Sequence, residues 1–537
     1  MQGGRDSQHE PTPQVISLSG RTGQAPWATV LAVRAAGITV PTAETAPPTA
    51  GATVPTAGSA PPTGRDRRAG RPPSGDPWAR RRPYGEALTS GGVDLVAFRD
   101  LLEPAGQKAL AQAVELAEAG ADPIVAATTL RKSHPPELTA AALTQASLRR
   151  RAEAKFGADA AVMYFTPHGL EQATRTEVAA HRARRARLLA APAAGPVTAS
   201  ATRPARETAV DPVTDPVTDP VTDPVTDPAA GPAEEPVTGP APEPVARVLD
   251  VCCGIGGDVI ALARAGFAVD AVDLDPLTVE VARANAEALG LSALVGVRTA
   301  DALETDPSGY DLLFADPARR GARGRIFDPM AYSPTWPAVL DLVSRARTAC
   351  LKVAPGIPHE LVPEGAEAEW ISHRREVKEA AIWVGTQASG RRATMLPSGA
   401  TLTSSGAEAE TGPVGRYLYE PDGAAVRAHL VAEVAAMVGG RLLDPRIAYI
   451  TGDGRVATEW ASCYEVTDMM PFSLKHLRSA LRNRKVGNVT IKKRGSAVDI
   501  ERLRKDLRLS GGNSAVVVLT RIDDRPYVLL CDTADQH

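Results

Sequence analysis

The chain of 537 residues changes its hydrophobic pattern along its length, and the changes divide it. From 90 to 189, apolar residues return at helical spacing, as in Phe98–Leu102 and the run from Leu138 to Phe156. Pro135-Pro136-Glu137 stands just ahead of that run, where proline's fixed φ and missing N–H suit a helix start. A helical domain is predicted there. From 245 the period changes. Short apolar runs at Val248–Val251, Ala268–Val272, Val295–Arg298, Asp311–Ala315 and Ala349–Val353 alternate with helical stretches at Val259–Ala265 and Leu277–Leu289. Such alternation predicts an α/β fold, a Rossmann-like parallel sheet with helices on both faces. Strands near 381–384 and a helix over 424–438 are expected to complete this domain, taken as 245–444. The stretch 445–533 predicts a small separate α+β unit. It has helices over Ser473–Arg484 and Asp499–Leu507, and strands over Val489–Lys492, Ala515–Arg521 and Tyr527–Leu530.

Composition sets the rest apart. Residues 1–82 and 190–244 concentrate the prolines, which number 46 as do the glycines, and the second stretch holds four tandem Asp-Pro-Val-Thr copies at 211–226. They offer little apolar surface against ordering entropy, and each Asp before a proline is pushed toward extended geometry. A disordered tail and a spacer are predicted. The five cysteines (252, 253, 350, 463, 531) have no paired spacing and no histidines at metal-ligand distance, so neither a disulfide framework nor a metal site is expected. No basic-then-apolar leader occurs and no apolar run reaches the roughly 18 residues of a membrane span, which argues for a cytoplasmic setting.

The net charge of −3 hides a strong local asymmetry. Between Pro471 and Arg508 twelve Lys and Arg stand against three acids, an excess of nine positive charges. Phosphate backbone is the natural partner of such a unit, with Lys492, Lys493 and Arg494 as candidate RNA contacts. Arg175, Arg182, Arg184, Arg185 and Arg187 close the helical domain, where a solvated face and a nucleic-acid contact are both open.

The most specific chemistry follows the first strand, in Asp250-Val-Cys-Cys-Gly-Ile-Gly-Gly-Asp258. Gly254, Gly256 and Gly257 remove side chains where backbone must pass close to a ligand, with Cys253 packing under the loop. Asp250, inside the strand end, can attract a cationic amino-acid moiety. Asp273 ends the second strand, where one carboxylate can serve both hydroxyls of a ribose. Asp301 follows the third strand, placed to accept from an adenine amine. Together these steps resemble the class I S-adenosylmethionine-dependent methyltransferases. NAD binding is the rival, since the ribose argument serves both; the placement of Asp250 and Asp301 favours S-adenosylmethionine.

The resemblance extends to Val269–Gly290, which with the loop is similar to the RNA-modifying branch that includes the trimethylguanosine synthases. Met163-Tyr-Phe-Thr-Pro-His-Gly-Leu-Glu-Gln172 resembles the segment preceding that catalytic domain. Pro471-Phe-Ser-Leu-Lys475 and Ile491-Lys-Lys-Arg-Gly495 resemble the THUMP-like domain of actinobacterial methyltransferases. The resemblance implies an RNA substrate of tRNA or rRNA type and leaves the nucleotide open.

Phe314-Ala-Asp316-Pro317 follows the fourth strand, where donor and acceptor meet in this fold. Asp316 and the Pro317 carbonyl can hold an exocyclic amine for in-line displacement. Amine-modifying relatives place an aromatic soon after the proline. This chain has Ala318 and Arg319, closer to the loop of the uracil-carbon-5 methyltransferases, which need a cysteine nucleophile. Cys350 is the positional candidate, but a buried strand cysteine explains it better. Arg319, Arg320, Arg323 and Arg325 form a basic loop beside the site, suited to phosphate or to a plain surface. Rival functions are methylation of a small molecule or protein, and RNA binding by a vestigial cofactor fold.

Overall fold

Prolines and short polar caps set most helix starts in the first layer. A computed structural model describes residues 94–190, 244–318 and 329–533, with only the backbone of 320–321, 324–325 and 331. The expected tail lies outside the described residues, as does the spacer apart from its two ends. Helices α1 (Leu95–Leu102), α2 (Pro104–Glu118), α3 (Pro123–Leu130), α4 (Pro136–Phe156), α5 (Pro167–Gln172) and α6 (Thr176–Ala190) form the predicted helical domain. Asp94, Asp122 and Thr166 accept backbone N–H groups at the starts of α1, α3 and α5.

The sheet region begins with β1 (Arg247–Val251), α7 (Gly257–Arg264), β2 (Ala268–Asp273), α8 (Pro276–Ala288), β3 (Val295–Thr299) and β4 (Leu312–Ala315). A minimal hairpin, β5 (Arg320–Gly321) and β6 (Gly324–Arg325), leads to α9 (Trp336–Ser344) and β7 (Ala349–Val353). Then come β8 (Glu367–His373), β9 (Glu376–Val384), β10 (Gly390–Leu396) and β11 (Thr401–Thr403). The strand order is β11-β10-β8-β9-β7-β4-β1-β2-β3, with β9 antiparallel to β7 and β8. The α/β expectation holds. Strand order reverses between β1 and β4, which opens a crevice at their carboxyl ends.

The helical domain is docked on this sheet as well as tethered to it. One buried cluster joins Phe98, Leu110, Phe156 and Phe165 of the helical domain to Ile255, Ile260 and Val281 around the loop. Asn285 on α8 accepts from the Tyr164 N–H at 2.6 Å and donates to the carbonyls of Tyr164 and Ile255. The segment 163–172 is thereby pressed onto the glycine loop.

A second sheet contains β12 (Tyr417–Pro421), β13 (Arg441–Asp444), β14 (Ile447–Gly452), β15 (Ala461–Pro471), β16 (Val486–Lys493), β17 (Asn513–Ile522) and β18 (Arg525–Thr533). Helices α10 (Gly423–Arg427) and α11 (Val431–Met437) follow β12, and α12 (Leu474–Asn483) and α13 (Ile500–Leu507) flank β16. Its order is β13-β14-β12-β15-β18-β17-β16. The division expected at 445 falls inside this sheet, because β12 hydrogen-bonds both β14 and β15. The helix expected over 424–438 is two helices, since the chain turns at His429 with φ of 55°. Leu477, Leu481, Leu503 and Leu507 bury one face of α12 and α13 against the sheet, leaving their basic faces outward.

Candidate active site

The loop after β1 turns sharply. Cys252, Gly254 and Gly256 all have positive φ, at 63°, 57° and 86°. A Cβ on Gly256 would meet that of Ala282 on α8 at 3.4 Å, ordinary contact distance, so it is the left-handed backbone that asks for glycine there. The loop is tied to the next strand by Asp273, which accepts from the N–H groups of Gly254 at 3.0 Å and Asp275 at 3.1 Å. Burial raises the Asp273 carboxyl pKa above its ordinary value, against those two bonds. Asp275 caps α8 through Leu277 and Thr278 and so has a local task. Asp301 accepts from the Leu303 N–H at 2.9 Å and starts a short 3₁₀ turn.

Two leucines beside these acids escaped the sequence reading. Leu274 is 60% exposed and Leu303 is 41% exposed, each a large apolar side chain left open at the rim of the crevice. The signal was a leucine between aspartates at 273 and 275. Apolar faces flanking polar acceptors suit a planar base.

Asp250 is fully buried, and neither of its carboxylate oxygens has a hydrogen-bond partner among the described residues. Burial, reinforced by Asp258 and Asp316, pushes its pKa well above the carboxylate range. A buried unpartnered acid is costly unless a cation completes it. The amino-acid end of S-adenosylmethionine is such a cation, so the residues present fit that cofactor. Cys253 is buried beneath the loop, and burial raises its thiol pKa.

Asp316 stands just past β4, its N–H reaching the Val251 carbonyl at 3.4 Å. Pro317 is buried, and Ala318 exchanges backbone hydrogen bonds with Ser333 at 2.9 and 3.1 Å. The loop is therefore held at both ends. One Asp316 oxygen, Oδ2, accepts from Lys352 Nζ; Oδ1 has no partner among the described residues, and the side chain is 25% exposed. Arg319 lies outside the described residues, as do the side chains of Arg320, Arg323 and Arg325. Cys350 is fully buried beside Phe314 and Trp383, and burial drives its thiol pKa upward, which disfavours it as a thiolate nucleophile.

Lys352 was also missed, although a lysine inside the apolar strand Ala349-Cys-Leu-Lys-Val353 is itself a signal. It is buried against Asp316, Asp258 and Thr174. Asp258 pairs in turn with Arg182 from α6. Burial alone would raise the Asp258 carboxyl, but Arg182 and then Lys352 outweigh it and hold it below its ordinary value.

The basic C-terminal surface divides into bound and free cations. Lys492 pairs with Glu420 at 2.9 Å, and Arg494 lies 3.7 Å from the same carboxylate and over the Tyr449 ring. Lys493 donates to the Val498 carbonyl at 3.0 Å. By contrast Lys475, Arg482, Lys485, Lys505 and Arg508 are exposed on or just after α12 and α13, with no acidic partner among the described residues.

Comparison with known proteins follows this anatomy. Residues 248–318 match a methyltransferase domain, 461–533 a THUMP domain-like module and 94–152 a domain of unknown function. Two uncharacterized S-adenosylmethionine-dependent methyltransferases from Mycobacterium tuberculosis, of strains CDC 1551 / Oshkosh and ATCC 25618 / H37Rv, are each 38% identical over 284 residues. Each alignment spans 51% of this chain and 77% of the relative. The crystal structure of a putative methyltransferase from Porphyromonas gingivalis W83 covers 75% of this chain and 92% of its own, with a TM-score of 0.53 and 20% identity, a likeness of fold.

Proposed function

The chain belongs to the S-adenosylmethionine-dependent methyltransferases, and from that premise we propose that it methylates a base of RNA, of tRNA or rRNA type. The observation that carries the RNA reading is the set of unpaired cations on α12 and α13, within the stretch that matches a THUMP domain-like module. They face outward with no acidic partner among the described residues, as suits a phosphate-binding surface.

S-adenosylmethionine, when bound, supplies an electrophilic methyl group on a sulfonium. Asp250 answers the cationic amino-acid end, Asp273 accepts from the ribose hydroxyls and Asp301 from the adenine amine. Gly254, Gly256 and Gly257 let the backbone approach. Asp316 Oδ1 and the Pro317 carbonyl accept the two protons of an exocyclic amine and so turn its lone pair toward the methyl. Fixing that alignment beforehand removes much of the entropic barrier of displacement. On charge and on their place in the sequence just after Pro317, Arg319 and Arg320 are candidates to contact a phosphate of the substrate.

Nucleoside mass spectrometry of RNA from cells with and without the gene tests this reading. One methylated nucleoside should vanish in the deletion strain and return with the wild-type gene. Unchanged RNA, with methyl label entering protein or small molecules instead, would transfer the acceptor to another class. Tight RNA binding without affinity for the donor would favour the vestigial cofactor fold.

A further inference from the structure

We infer that Lys352 is the positioning residue for Asp316, and that Thr174, supplied by the helical domain, sets where Lys352 holds it. The inference rests on the reading of Asp316 as the carboxylate that grips the acceptor. Sheet register brings the pair together: β4 and β7 are parallel with Ala315 opposite Leu351, so the next residues along are Asp316 and Lys352. Lys352 is buried, and its ammonium has three protons to satisfy. It donates to two oxygens, Asp316 Oδ2 and Thr174 Oγ1, and lies in ion-pair range of a third, Asp258 Oδ2 at 3.6 Å. The Thr174 hydroxyl in turn donates toward Asp258 Oδ2 at 3.4 Å, and Arg182 fixes Asp258 from the other side.

A buried ammonium with just two hydrogen-bond acceptors is placed by both of them, because losing either leaves a further buried proton unmatched. Lys352 occupies only one Asp316 oxygen. It therefore anchors the carboxylate and leaves Oδ1 for the acceptor. Thr174 makes no hydrogen bond to Asp316 itself and reaches it only through Lys352 on β7; it belongs to the connection between α5 and α6. The catalytic loop is thus completed from outside the methyltransferase domain.

Full-length wild type, Thr174→Val, Thr174→Ser and Lys352→Met are incubated with methyl-tritiated S-adenosylmethionine and a lysate of cells lacking the gene. Label is counted separately in RNA, protein and small molecules, and S-adenosylhomocysteine affinity is measured by calorimetry. Thr174→Val keeps the shape but loses the hydroxyl. It should lower kcat on the labelled fraction roughly tenfold, with the donor KM and product affinity within about twofold of wild type. Thr174→Ser should restore most of the rate, and Lys352→Met should lose more than Thr174→Val.

A Thr174→Val enzyme as fast as wild type overturns the positioning role and leaves the RNA reading standing. Label confined to protein or small molecules overturns the RNA reading alone, and the same variants on that fraction decide the positioning role. A rate loss that Thr174→Ser does not restore, or one matched by a fall in product affinity, marks general structural damage and overturns the inference. Absence of label from every fraction removes the catalytic role of Asp316 and this inference with it.

Discussion

The guanidinium of Arg182, on α6, and the carboxylate of Asp258, in the first turn of α7, form an ion pair buried between the helical domain and the cofactor loop. Arg182 also pairs with Glu379 on β9, and Arg185 reaches Glu369 on β8 at 2.6 Å. The basic end of the helical domain is therefore partly internal. Removing one partner of such a pair strands its acids. Arg182→Met should cost about 3–5 kcal/mol in urea unfolding. Arg184→Met, two residues on and exposed to solvent, should stay within about 0.5 kcal/mol. Equal midpoints for the two variants would show that the buried pair contributes nothing.

Asp273 already accepts from two backbone N–H groups that shape the glycine loop. Its replacement by alanine loses both the loop tie and the proposed ribose contacts. Hydrogen bonds to a charged group are worth about 1.5–3 kcal/mol each, so donor affinity should fall by roughly tenfold or more. Calorimetry with S-adenosylmethionine measures it. An unchanged dissociation constant would remove the ribose assignment.

Asp316→Ala separates the two halves of the site. Transfer should be lost while donor affinity stays within about twofold of wild type, because the residue acts on the acceptor. Single-turnover transfer from labelled donor, beside donor calorimetry, reads both. Retained turnover would exclude its catalytic role.

The free cations should carry the salt dependence of RNA binding. Arg482→Ala and Arg508→Ala should each weaken binding to bulk tRNA and flatten the plot of log affinity against log salt by about 0.7. Lys492→Ala should do less, since Glu420 already neutralises it. Filter binding across a salt series checks this, and a Lys492 effect larger than both arginines would place the contact on β16 instead.

Those contrasts show what the sequence made legible. The alternation of apolar runs reveals β1 to β4 and β7, and with them Asp250, Asp273, Asp301 and Asp316 at successive strand ends. Such signals are local, each strand and its terminal acid lying within a few residues. Lys352 was missed because its partners are far apart in the chain; Thr174 lies 178 positions away. The pairing of β12 with β15 was hidden for the same reason. Ala461-Ser-Cys-Tyr-Glu-Val-Thr-Asp-Met-Met-Pro471 mixes exposed and buried positions without clean alternation, and its register shifts between Val466 and Asp468. The basic cluster was visible as a charge count, but which cations are free depends on where Glu420 folds to.

Asp250 gives a prediction with a defined sign. Burial, then Asp258 and Asp316, raises its carboxyl pKa well above the ordinary value. In the unliganded fold it keeps its proton at pH values where the unfolded chain has released it. Its contribution to stability is therefore full below the unfolded value of about 4 and is lost as pH rises through the folded pKa. Asp250→Asn is neutral throughout and escapes that loss. The unliganded variant should melt above wild type, by a margin that opens as pH rises from about 4 and then levels off. Donor affinity should move the other way, falling by roughly tenfold or more because an amide cannot answer the cation. Where wild-type Asp250 is still protonated, binding should release a proton, seen as an enthalpy that varies with the buffer's own ionisation heat, and the variant should lack that component. Melting below wild type at every pH, together with undiminished donor affinity, would mean that Asp250 is a structural acid with no cation to meet.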